Sequence, residues 1–158
     1  MKTEARHPRI SALLVADAMH WGVFACECDA LLSEVADTMV QRLIHCVVVE
    51  RRSGDGGPPW GIISDLDLIA AATVRDLDEQ TAGGSAATPV VTLAPGETLE
   101  RAAQLMTEHS MSHLIVVGPD RHLPIGVLST LDIAAILARE NGRMNTQTVS
   151  STDAGGNS

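Results

Sequence analysis

Gly61-Ile62-Ile63-Ser64-Asp65-Leu66-Asp67 and Gly126-Val127-Leu128-Ser129-Thr130-Leu131-Asp132 are one heptapeptide pattern written twice. Each opens as an apolar strand, turns polar at a serine, and runs on into a helical stretch. That stretch is Leu68-Ile69-Ala70-Ala71 in the first copy and Ile133-Ala134-Ala135-Ile136-Leu137 in the second. Working outward, the residues before each heptapeptide also match, 23–49 against 90–117. Val23-Phe24-Ala25-Cys26 and Val90-Val91-Thr92-Leu93 are short β-rich runs. Leu32, Val35, Ala36 and Met39, and then Leu99, Ala102, Ala103 and Met106, follow i, i+3, i+4, i+7, the single apolar face of a helix. Cys46-Val47-Val48-Val49 and Leu114-Ile115-Val116-Val117 are apolar enough on both sides to be buried strands. Turn-rich loops, Ser53 to Pro59 and Gly118-Pro119-Asp120, lead back to the heptapeptides.

Self-similarity of this kind fixes the architecture before any single element does. Each half reads β-α-β-β-α, so the chain is of the α/β (α+β) class. Two pseudo-symmetric repeats pack sheet to sheet. The first repeat spans 14–75 and the second 88–140. Between them, 76–87 is polar and then small, as a linker would be. Residues 1–13 form an N-terminal segment, and 141–158, without periodicity, read as a disordered tail.

Composition narrows the function. The 158 residues carry 20 Asp plus Glu against 11 Lys plus Arg, a formal net charge of -9. Such a surface repels phosphate backbones and anionic lipid, which speaks against nucleic acid and membrane as partners. The aromatics are Trp21, Phe24 and Trp60 alone, too few for a base-stacking platform. No apolar run nears the roughly 18 residues of a bilayer span. Asp17 and His20 interrupt the one stretch resembling a signal peptide, so a soluble, cytoplasmic protein is expected.

A serine at a strand-to-helix junction with Asp three residues on is first a capping box, in which each side chain satisfies a backbone N–H. The same place suits a ligand. Free N–H groups and the positive end of the helix dipole favour phosphate, and a carboxylate can accept the hydroxyls of a ribose.

With both copies in register, residues 14–139 resemble a tandem pair of cystathionine-β-synthase (CBS) domains, a Bateman module. The resemblance implies two clefts between the repeats that hold an adenosine-containing ligand (AMP, ADP, ATP, S-adenosylmethionine or NAD), and a homodimeric disc. It implies that Asp67 and Asp132 take ribose, with Ser64 and Ser129 beside the ribose-phosphate. Each cleft would mix the repeats. Ser64 and Asp67 would face Val91, Thr92 and Met111 in cleft one; Ser129 and Asp132 would face Phe24, Ala25 and Ile44 in cleft two. Family members often carry Thr in the first strand. Thr92 keeps it and Ala25 does not, which favours cleft one. His45 and His113 (or Ser112) fall just before the second strand, where the resemblance implies a phosphate contact, although a neutral imidazole is a poorer anion partner than Arg. Arg42, Arg101 and Arg121 are further candidates that sequence cannot place.

Other chemistries find less support. Cys26, Cys28 and Cys46 with His45 offer thiolate and imidazole for a metal or redox switch. However, Cys-x-Cys lacks the usual ligand spacing, and buried Cys is a common small apolar residue. His109 and His113 are four apart without a His-Glu-x-x-His pattern. No nucleophile elbow or Walker loop is visible, so no enzymatic activity is expected. The expectation is a regulatory module that senses an adenosine ligand and signals by a change of shape or assembly, acting on an enzyme or transporter. The alternative is a ligand-free structural or interaction module in which Ser64 and Ser129 only cap helices.

Overall fold

Residues 10–52, 56–120 and 123–140 are described by the computed structural model. The 141–158 tail, most of the N-terminal segment, Ser53-Gly54-Asp55 and Arg121 lie outside them. The first repeat comprises β2 (Ala25–Glu27), α2 (Leu32–Arg42), β3 (Cys46–Glu50), β4 (Gly61–Ser64) and α3 (Asp65–Ala72). The second comprises β5 (Thr92–Leu93), α5 (Leu99–His109), β6 (His113–Val117), β7 (Pro124–Ser129) and α6 (Thr130–Glu140). Both follow the β-α-β-β-α order. β2 runs parallel to β3 and β5 parallel to β6, which α2 and α5 permit by crossing back over their sheets. β4 and β7 then return antiparallel.

The apolar runs bury both faces of the central strands. Val47 and Val49 point into the first repeat's core with Leu32, Val35 and Ile63. Leu114 and Val116 point into the second's with Leu99, Ala102 and Leu128. The alternate residues Val48, Ile62, Ile115 and Val117 meet between the sheets and close the pair face to face. The two long helices end alike, on Leu43 and Ser110 in the left-handed conformation (φ 53° each).

What the repeat pattern does not show is an exchange of lead-in segments. α1 (Val15–Ala18) and the two-residue β1 (His20–Trp21) precede the first repeat but pack on the second. Val15 and Met19 enter the second core, and β1 pairs antiparallel with β7, His20 opposite Val127 and Trp21 opposite Gly126. The stretch read as a linker does the reciprocal thing. It forms a 3-10 turn (Leu77–Glu79) and α4 (Ala82–Ser85), with Ala82 fully buried in the first core and Ala87 bridged to Ile62. This explains the glycine that opens each heptapeptide. A Cβ on Gly126 would run into the His20 carbonyl and the Met19 side chain, and one on Gly61 would meet Ala86 at 2.6 Å.

Candidate functional site

The heptapeptide serines sit at the N-termini of α3 and α6 and form the capping arrangement their spacing implies. Asp67 Oδ2 accepts from the Ser64 backbone N–H and hydroxyl, each at 2.7 Å, while Ser64 Oγ accepts from the Asp67 N–H at 3.3 Å. Ser129 and Asp132 repeat this at 2.7, 2.7 and 3.2 Å. In both copies Oδ2 is spent on the cap, and Oδ1 takes no part in it. Here the copies part. His20 Nε2 lies 2.9 Å from Asp132 Oδ1, whereas Ala87 occupies the corresponding place near Asp67 and offers no such bond.

Two cavities open at these termini. The larger, about 500 Å³, is lined by Ser129 and Asp132 on one side and by Phe24, Ile44 and His45 on the other, with His20, Trp21 and His113. The smaller, about 170 Å³, is lined by Ser64, Asp67, Met111 and His113, with His109 and Ala87. The first is of a size that holds a small organic ligand; the second is below that range. Cleft two thus has the room, although Thr92 had favoured cleft one. Thr92 lies exposed on β5, Val91 packs against the second core, and neither lines a cavity. Ala25, exposed on β2, likewise lines neither. The other expected site residues are brought together as two mixed clefts.

Histidines stand at these cavities. His113 lines both cavities. Burial lowers its pKa below the ordinary histidine value, opposed by the negative charge of Asp65. His45 Nδ1 bonds Asp65 Oδ2 at 2.9 Å, and that bond holds the Asp65 carboxyl below its usual range. Arg42 is carried by the last turn of α2 to 5.5 Å from the ring of Phe24, which lines the larger cavity. Sequence reading missed His20, Trp21 and Leu131 as lining residues. Their signal lies in the lead-in exchange, which no periodicity reports.

The cysteines do not assemble. Cys26 lies opposite Val49, and Cys46 lies opposite Ser64, three residues away along β3, or about 10 Å. Burial pushes the Cys26 thiol up to about 11 and the Cys46 thiol up to about 12, so both are protonated at neutral pH and are poor ligands or nucleophiles. Among the described residues no group of three or more His, Cys, Asp or Glu is arranged to hold a metal ion. No helix among them is long and apolar enough to cross a membrane.

The family model for the CBS domain matches the chain twice, over residues 15–73 and 84–139. The chain belongs to the CBS domain family. No curated protein matches it. Among solved structures, the CBS domain pair of protein MJ0100, in complex with 5′-methylthioadenosine and S-adenosyl-L-methionine, is 20% identical. It aligns with a TM-score of 0.71 over 80% of this chain and 97% of its own. The CBS-domain protein ATU1752 from Agrobacterium tumefaciens is 22% identical, with a TM-score of 0.67 over 78% of this chain and 98% of its own. CBSX2 in complex with AMP is 20% identical, with a TM-score of 0.65 over 82% and 98%. These likenesses establish a CBS pair fold.

Proposed function

We propose that this CBS pair is a regulatory, non-catalytic module that binds an adenosine-containing ligand, AMP, ADP, ATP or S-adenosylmethionine, and that the cleft at Ser129 and Asp132 is its primary site. The observation that carries the reading is the 500 Å³ cavity between the two sheets, with a helix N-terminus and a carboxylate on one wall and apolar groups on the other. Ser129 and Asp132 address the ribose and its phosphate. Phe24 and Ile44 cover the base, Arg42 supplies positive charge for the phosphates, and the rings of His45 and His113 stand beside them as hydrogen-bonding groups. Ligand-bearing structures of similar fold, with 5′-methylthioadenosine, S-adenosyl-L-methionine and AMP, support the ligand class. Because the cleft is built from both repeats, a ligand favours whichever arrangement of the repeats it binds better, by the difference in affinity and no more.

Output through assembly is part of the same proposal. Leu66 and Ile69 on α3 and Leu131 and Leu137 on α6 are exposed, an apolar surface suited to a homodimer. An enzyme or transporter target would read the altered dimer.

Thermal unfolding against AMP, ADP, ATP, S-adenosylmethionine and NAD, with guanosine as control, tests the ligand class. A ligand at about 100 times its Kd stabilises by about 2.7 kcal/mol, a rise of roughly 5–10 °C in a chain of this size. A flat response across the panel, from protein purified free of nucleotide, would overturn the reading in favour of a structural or interaction module.

A further inference from the structure

The two tryptophans of the chain are held in opposite ways. Trp60 is tied down: its indole N–H donates to the Gly83 carbonyl at 3.0 Å, and the Arg51 guanidinium lies 4.5 Å from its ring centre. The Trp21 indole makes no hydrogen bond among the described residues and the residue is 65% exposed, yet it lines the larger cavity. Phe24, 43% exposed, lines it too, so two of the three aromatics of this aromatic-poor chain stand in one cleft. Opposite Trp21 in the sheet is Gly126, which puts no side chain beside the ring. The smaller cavity has no counterpart. The register that sets Ala87 against Ile62 puts Thr88 where Trp21 stands, and neither Thr88 nor Val91 lines that cavity.

A large ring left in water at the mouth of an apolar cavity is a surface awaiting a flat partner. We infer that Trp21 stacks on the base of the bound ligand and makes the larger cleft selective for a planar aromatic head group, a property the smaller cleft lacks. The inference deepens the proposed function and rests on it. The sugar end is recognised by a carboxylate that both clefts possess; the base end is recognised by a ring that only one possesses.

The test uses AMP and, as a baseless probe, ribose 5-phosphate, on the full chain. In a Trp60→Phe background Trp21 is the sole fluorophore, and AMP should change its emission in step with the thermal shift. Trp21→Ala should weaken AMP roughly 5- to 150-fold and leave ribose 5-phosphate unchanged, while Trp21→Phe retains most of the affinity. If Trp60→Phe does not fold, the difference between the parent and Trp21→Phe emission titrations reports the same quantity. AMP that stabilises Trp21→Ala as well as the parent, with equal affinity, overturns the stacking and leaves the nucleotide reading standing. If AMP is silent, the same comparison is made with whichever of ADP, ATP and S-adenosylmethionine stabilises the parent, and a parent that none of them stabilises overturns both.

Discussion

The two clefts are copies that share their caps and differ in their lids. At the helix termini Ser64–Asp67 and Ser129–Asp132 make the same three hydrogen bonds at nearly the same lengths. Across from them stand Ala87 and Thr88 in one case and His20 and Trp21 in the other, and the cavities measure about 170 and 500 Å³. The comparison teaches that the heptapeptide specifies a helix start, which the chain needs for stability in both repeats. How much room stands before that start differs with the lead-in segment delivered from the other repeat, and under the proposed function that difference decides which start binds.

The largest way to break the comparison is at the crossing itself. Gly126→Val places a branched side chain against the His20 carbonyl, and we expect a loss of about 1–3 kcal/mol. That is a fall of roughly 3–10 °C in Tm, together with loss of ligand stabilisation because β1 no longer seats. Next come the caps. Ser64→Ala and Ser129→Ala should each cost about 1 kcal/mol in chemical denaturation, and by similar amounts, since the two caps are alike. A cost confined to one of them would show that the copies are not structurally equivalent after all.

Acid probes the histidine that the two clefts share. His113 has a folded pKa below its unfolded value, so the folded state takes up its proton less readily than the unfolded chain. Its contribution is therefore present above the ordinary histidine range and lost as pH falls through that range. Asp65, also depressed, keeps its contribution until pH falls below the ordinary carboxylate range. Melting temperature should decline in acid, first through His113, and His113→Gln should remove the earlier part of that decline. The smallest effect belongs to His20. Its side chain is 80% exposed against 13% for Asp132, so His20→Ala should cost only about 0.5 kcal/mol. A double-mutant cycle with Asp132→Asn measures that coupling.

Much of this was legible in the residues. The duplicated heptapeptide, the helical stripes of α2 and α5 and the buried valines of β3 are periodic signals, and the repeats and the packing of their apolar faces follow from them, whereas the mixed clefts came only with the family resemblance. The serine and aspartate positions followed from cap chemistry alone. The exchange of lead-in segments was not legible, because β1 is two residues long and pairs with a strand more than a hundred residues away. Neither propensity nor period speaks for so short an element. Residues 81–87 are small and therefore resembled a linker, yet Ala82 and Gly83 are small because they pass close to Cys28 and the first core. That Thr92 lines neither cavity was not legible either. A strand-forming threonine shows neither which way it faces nor whether a cavity lies before it.

The central claim is that ligand enters the cleft at Asp132 in preference to its copy at Asp67. AMP titration of Asp67→Ala and Asp132→Ala, followed by thermal unfolding, tests it most directly, since both variants lose a comparable cap. The account predicts that the AMP-induced rise survives in Asp67→Ala and disappears in Asp132→Ala. A rise that survives in Asp132→Ala and disappears in Asp67→Ala would contradict it.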